Sequence, residues 1–386
     1  MRVLFVVSRL PYPPWRGDQV RAYHQLRQLA PRHDITVCLV GRVPSPADRA
    51  KVEGLGVRLE VVPMSSSGAV ARMGRAPLDR RPAQSLPYTG RAARRRIEQL
   101  GGSVDLIHTQ LIRTAPLLPE AGPPVVVDLI DAMSVNLHRR ADHDRGVRGL
   151  AARWEARRVF LYESGLMRRG VSVVAATAAD ATALGDRVEV IPNGVDLEHF
   201  SFRAEGRDPY TLVFAGNLGY FPNVDAARIA ATEVLPVLRR TIPTASLVLA
   251  GARPSNAIKR LAQAPGVALI PGPEDLGAIV ARAGVAIVPM RAGTGMQNKV
   301  LEAMAVGTPV VTTPRAAEAV GAVPGTHLLV GEDATAIAAA ALALIDDPAE
   351  ARLMAERARL FVEEHFGWDA SAEALERIWE RARANR

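Results

Sequence analysis

Residues 289–313 read Pro289-Met-Arg-Ala-Gly-Thr-Gly-Met-Gln-Asn-Lys-Val-Leu-Glu-Ala-Met-Ala-Val-Gly-Thr-Pro-Val-Val-Thr-Thr313. The pattern predicts a strand ending at Val285 to Met290, a glycine loop at Arg291 to Gly295, a helix at Met296 to Val306 and another strand at Pro309 to Thr313. Gly293 and Gly295 carry no side chain, so backbone can approach a ligand closely there, and the free N–H groups of the next turn make an anion site. The helix is apolar on most sides (Val300, Leu301, Ala303, Met304, Ala305, Val306), which predicts burial. Asn298, Lys299 and Glu302 nevertheless share one narrow face. Polar groups on a buried helix need partners. A ligand is one source; an ordinary helix ion pair between Lys299 and Glu302, worth about 0.2–0.5 kcal/mol, is the other.

Working outward, 386 residues with 48% hydrophobic content suffice for two domains, each with its own core. No apolar run is long enough to span a bilayer, and Val3 to Val7 is a short strand followed by Pro-Tyr-Pro-Pro. Neither a signal peptide nor a transmembrane helix is read, and a cytoplasmic protein is expected. The single cysteine, Cys38, lies in the apolar run Ile35 to Val40 and reads as a buried structural residue. Residues 1–195 carry 29 Lys and Arg against 18 Asp and Glu, whereas residues 196–386 carry 19 against 22. The basic half suits an anionic acceptor or the cytoplasmic leaflet of a membrane, or else simply holds solvated arginine-rich helix faces; no nucleic-acid partner is read.

Strands and helices alternate along the chain. Arg2 to Ser8 is a continuous apolar run of the buried parallel type, followed by the loop Arg9 to Asp18 and a helix from Gln19 to Ala30. Gly17 and Asp18 therefore lie where open α/β sheets bind ligands, and Asp18 reads as the helix cap or as an acceptor contact. Ser65 to Gly90 shows no clear periodicity and is the best candidate for a mobile acceptor-side loop. Val104 to Gln110 is a strand whose end carries His108 and Gln110; His108 is a candidate for chemistry or a hydrogen-bonded structural group. Val125 to Asp131 is a buried strand ending in acid. Asp131 is placed to orient an acceptor hydroxyl, to remove its proton, or to cap the following helix.

Val188 to Asp196 contains a proline that stops a strand and an Asn193-Gly194 turn, and marks a domain boundary. The alternation restarts at Tyr210 to Gly219. The turn after that strand, Asn217 to Asn223, holds no cation, so an anion bound beside it would draw on Lys299, Arg253, Arg291 and helix N–H groups. The chain holds only three lysines, Lys51, Lys259 and Lys299. No His, Cys, Asp and Glu cluster has metal-ligand spacing, and Val3 to Gly17 lacks the Gly-x-Gly-x-x-Gly of a dehydrogenase.

The 289–313 stretch resembles the C-terminal donor-site signature of retaining glycosyltransferases of family 4. There, a carboxylate on the corresponding helix holds the nucleotide ribose hydroxyls, and Glu302 is the matching residue. The family's Glu-x7-Glu begins here with Thr294 in place of its first Glu. Its frequent His-x-His reads His108-Thr-Gln110 here. The variant Gly-x-Gly-x-x-x-Lys-x-x-Glu-Ala-Met-Ala, together with Trp15-Arg16-Gly17-Asp18, resembles a subgroup of sugar transferases found with exopolysaccharide loci, in which Lys299 is a diphosphate partner.

The resemblance covers essentially the whole chain and implies a GT-B architecture: two Rossmann-like domains facing an interdomain cleft. Residues 1–195 would bind the acceptor and 196–365 the nucleotide sugar, with the terminal helix of 366–386 packing back on the first domain. It implies transfer of a hexosyl group from a nucleotide diphosphate sugar to a glycan, lipid-linked or small-molecule acceptor, without metal or other cofactor. The donor-binding set would be Asn217, Arg253, Arg291, Gly293, Thr294, Gly295, Met296, Gln297, Asn298, Lys299 and Glu302; His108 and Asp131 would be the catalytic candidates, and Gly17, Asp18 and Gln110 the acceptor-side residues. A nucleotide-sugar 2-epimerase of the same architecture and a non-catalytic sugar-nucleotide-binding subunit are the competing readings.

Overall fold

The structure, a computed structural model, describes residues 1–143, 146–291 and 295–385; Gly293 and Thr294 of the glycine loop lie outside the described residues. Two compact units emerge, Met1–Pro192 with Trp368–Arg386, and Asn193–Gly367. The cut falls at Pro192, just ahead of Asn193 and Gly194, where the expected turn is not formed; the turn lies at residues 197–200.

The first unit is built on seven parallel strands: β1 (Arg2–Val7), β2 (Asp34–Gly41), β3 (Arg58–Pro63), β4 (Leu106–Gln110), β5 (Val125–Ile130), β6 (Ser172–Ala175) and β7 (Val188–Val190). Their order is β3-β2-β1-β4-β5-β6-β7. The apolar runs form strands because both sheet faces are covered, so residues on either side of the pleat meet a core. Val3, Phe5 and Val7 face one layer with Leu26 and Leu29 of the helix Gly17–Leu29, and with Leu375 and Trp379 of the last helix, Trp368–Ala384. Leu4, Val6 and Cys38 face the opposite layer with Ile97 and Val159. Burial there pushes the Cys38 thiol up to about 12, in keeping with a structural role.

The second unit carries β8 (Asp208–Ala215), β9 (Ser246–Gly251), β10 (Val267–Pro271), β11 (Ala283–Val288), β12 (Val310–Thr312) and β13 (Leu329–Val330), all parallel, in the order β10-β9-β8-β11-β12-β13. Each sheet reverses direction of growth once, between β1 and β4 and between β8 and β11. Outside the carboxyl ends of strands at such a switch point an open sheet leaves room for a ligand.

Two expectations need correction. The stretch 65–90 is not irregular: it forms a helix at Ser66–Gly74 and 3-10 turns at Ala76–Leu78 and Ala83–Tyr88. Arg158 on the long helix Val147–Arg168 ties it down through the carbonyls of Ala76 (2.8 Å), Asp79 (2.6 Å) and Arg81, while the Glu155 carboxylate accepts the N–H groups of Ala83 and Gln84. Pinning by side chains distant in sequence leaves no local periodicity to read. The helix expected from Met296 begins at Asn298 and ends at Ala305, because Gln297 adopts a non-helical φ of −88° and ψ of 72° and occupies the cap position.

Candidate functional site

Beside the second unit's switch point, two strand exits cross. β8 is followed by Gly216 and β9 ends in Gly251, both with positive φ. A Cβ on Gly251 would fall 1.7 Å from the Gly216 carbonyl oxygen, so only glycine lets these two exits cross. The turn beyond Gly216 is held by Asn217, whose Oδ1 accepts the Gly219 N–H at 3.1 Å and whose carbonyl accepts from the Asn223 amide at 3.0 Å. Arg253 sits beside this turn with φ of 54°; its carbonyl lies 2.7 Å from where a Cβ on Gly219 would be.

The helix Asn298–Ala305 faces this turn from the β11 side. Val300, Leu301, Ala303, Met304 and Ala305 are buried, and Asn298, Lys299 and Glu302 remain on the partly open face. Asn298 is fixed by the Asn193 amide, which donates to its Oδ1 at 3.1 Å. Lys299 donates to Gln297 Oε1 at 3.0 Å, and the Gln297 amide in turn donates to the Gly295 carbonyl at 3.2 Å. The lysine arm lies over the exit of β8, its Cε 3.5 Å from the position of a Gly216 Cβ. Met296 packs against the unit's core.

Glu302 differs from its neighbours. Among the described residues no hydrogen bond and no ion pair within 4 Å holds its carboxylate, so the helix ion pair with Lys299 is not formed. Burial raises the Glu302 carboxyl to about 7, with the Lys299 charge opposing; burial likewise lowers Lys299 to about 8, with Glu302 opposing. A half-buried acceptor and a half-buried cation, close enough to feel each other but not touching, leave a gap suited to a ligand with hydroxyl donors and anionic oxygens. Arg291, expected on the anion, instead pairs with Glu233 at 3.3 Å on an exposed surface.

The first unit's switch point holds a second group. Gly17 opens the first helix, with empty space where its Cβ would be, so no close approach demands glycine there. Asp18 is not the helix cap: Arg16 occupies that position, and Asp18 pairs with Arg9 at 2.7 Å. His108 is also corrected. It is 0% exposed, its ring stacks on Phe5 with centroids 4.3 Å apart, and Trp379 Nε1 donates to its Nδ1 at 3.2 Å. Burial lowers it to about 4, so it is a neutral core residue closed off from solvent. Gln110, two residues on, is also interior.

Asp131 follows β5, half-buried, and accepts from the Asn136 amide at 2.9 Å. It does not cap the next helix, because Asp180 takes the N–H of Ala132 (3.0 Å) and Glu163 that of Ser134 (3.3 Å). Burial, with the like charges of Asp180 and Glu163, raises Asp131 to about 7. The sequence reading missed Glu163 and Asp180, and also Arg113. This half-buried guanidinium bonds Gln84 Oε1 at 3.4 Å and is lowered by burial and by Arg9. The strand exits beside it are strained at Leu111 (φ 69°) and Ile130 (φ 67°), a left-handed backbone that non-glycine residues rarely take. No residue pattern signals that strain.

Comparison with known proteins adds three findings. A family profile described as "Glycosyltransferase Family 4" matches residues 15–199, and one described as "Glycosyl transferases group 1" matches residues 209–347. Glycogen synthase of Mycobacterium tuberculosis is 30% identical over 242 residues, covering 58% of this chain and 57% of that protein. The chain thus spans little more than half the length of the curated relatives it matches. Among solved structures, sucrose-phosphate synthase from Thermosynechococcus elongatus superposes with a TM-score of 0.76 at 18% identity, covering 100% of both chains. The Anabaena protein HepE, in complex with UDP and glucose, superposes with a TM-score of 0.70 at 15% identity, covering 99% and 100%. At these identities the superpositions establish the fold.

Proposed function

The chain belongs to the family 4-like glycosyltransferases of GT-B fold, and from that premise we propose that it transfers a hexosyl group, with retention, from a nucleotide diphosphate sugar to a hydroxyl acceptor. The single observation that carries the reading is the Glu302 carboxylate, which has no hydrogen-bond or ion-pair partner among the described residues, set beside Lys299 at the switch point of the second unit. Glu302 accepts the ribose hydroxyls. Lys299, with the N–H groups of the first turn of its helix, receives the diphosphate and stabilises the charge that develops as the glycosidic bond breaks. That HepE binds UDP and UDP-glucose supports a uridine donor. In the first unit, Asp131 orients the acceptor hydroxyl. The reading places the reaction in exopolysaccharide or related glycoconjugate assembly, in the cytoplasm and without a metal.

The test is a calorimetric and thermal-shift screen of UDP-, GDP-, ADP- and dTDP-sugars against the parent chain and Glu302→Ala. One base class should bind, the variant should lose at least about tenfold in affinity, and a chelator should leave both binding and turnover unchanged. Product analysis with that donor then decides the chemistry. A glycoside is expected, and free epimerised nucleotide sugar would sink the transferase reading.

A further inference from the structure

The long helix Val147–Arg168 turns an apolar stripe to solvent. Val147, Leu150 and Trp154 recur at spacings of three and four, which places them on one face, and Val147 is 83% and Trp154 45% exposed. A second segment joins them. The Arg158 guanidinium lies 4.1 Å above the Trp154 ring while bonding the carbonyls of Ala76 and Asp79, which bracket Leu78. Leu78, 92% exposed, lies on the turn whose carbonyls that same guanidinium holds. The helix leading into that turn exposes Val70 and Met73. A leucine fixed almost wholly in water, on a turn tied through Arg158 to an exposed apolar helix stripe, calls for an occupant.

Among the described residues, the charges around these side chains that lack an ion-pair partner are positive. Arg75, Arg80, Arg148 and Arg157 are exposed, with no ion-pair partner among the described residues. The nearby acids are already engaged: Asp79 with Arg81, Asp142 with Arg153, and Glu155 with the N–H groups of Ala83 and Gln84. A second copy using the same face would set arginine against arginine across a two-fold contact. A bilayer surface carrying anionic lipid satisfies both features, since apolar side chains and a tryptophan enter the headgroup boundary while arginines meet phosphates.

We propose that Leu78, Val147, Leu150 and Trp154, with their flanking arginines, dock this protein on an anionic membrane surface. The inference is independent of the donor site, because none of these residues belongs to it.

The experiment is co-sedimentation of the full chain with vesicles of phosphatidylcholine alone and of phosphatidylcholine mixed with phosphatidylglycerol. The chain should pellet with the anionic vesicles only, and less at high salt. Leu78→Ser/Val147→Ser/Leu150→Ser should weaken that partition about tenfold or more, with the thermal shift given by a nucleotide sugar unchanged. A parent chain left in the supernatant with anionic vesicles, or a triple variant pelleting like the parent, overturns the proposal. So does a dimer in light scattering that the triple variant dissolves, which would assign the face to a second copy.

Discussion

At the scale of single residues, the donor site is costly to the fold that carries it. Glu302 titrates near 4.5 in an unfolded chain and at about 7 in the folded one, so the folded state binds its proton more tightly. Folding stability from this group is therefore withdrawn as pH rises from 4.5 through 7, and the penalty is fully present above 7. Glu302→Gln should remove it, giving a chain more stable than the parent at pH 8 by about 1–2 kcal/mol, little changed below pH 5, and poor at binding the donor. Denaturant melts at the two pH values check this; a variant less stable at pH 8 would refute the assignment. Lys299 runs the other way, losing its proton near 8. Donor affinity needs Glu302 ionised and Lys299 charged, so for the free protein it should peak between about 7 and 8 and fall on both sides. Titration calorimetry across pH 5.5 to 9.5 reads that profile. A flat profile would mean that these two groups do not meet the ligand.

At the scale of elements, what could be read from sequence was what local pattern encodes. Continuous apolar runs predicted the strands, and the helix bearing Lys299 and Glu302 was misplaced only at its ends, where Gln297 rather than Met296 makes the transition. What could not be read was set by partners far along the chain. Arg158 and Glu155 order the 65–90 stretch from 82 and 72 residues away. Asp180 and Glu163 cap a helix that Asp131 adjoins, and Trp379 closes over His108 from the far end of the chain. A histidine at a strand end looks the same in sequence whether it faces a cleft or a tryptophan. The crossing of Gly216 and Gly251 belongs to this class too, and it yields a prediction. Gly251→Ala adds a methyl 1.7 Å from a backbone oxygen at φ of 146°, so the exits of β8 and β9 must part. The expected cost is about 2–4 kcal/mol in stability, with loss of donor binding even under conditions where the variant is folded. Normal donor affinity in a folded variant would show that the turn after β8 does not shape the site.

At the scale of the whole molecule, the chain leaves its first unit at Pro192, builds the second, and returns at Trp368 to complete the first. The helix Trp368–Ala384 is thus an integral part of a core laid down by the opening strands: Ala372, Leu375, Ile378 and Trp379 are buried with Val3, Phe5 and Leu26. The second unit's core draws on none of these residues. Damage at Trp379 should therefore be felt in one unit only. Trp379→Ala empties a fully buried indole and removes the donor to His108 Nδ1, a loss on the order of 3–5 kcal/mol. In calorimetry, the transition of the first unit should fall by roughly 6–20 °C. The donor-stabilised transition of the second unit should stay within a degree or two of the parent's, because Glu302, Lys299 and the crossing glycines all lie within 193–367. If the donor-stabilised transition fell in step with the other, the two cores would be one cooperative system, and the nucleotide site could not be attributed to the second unit alone.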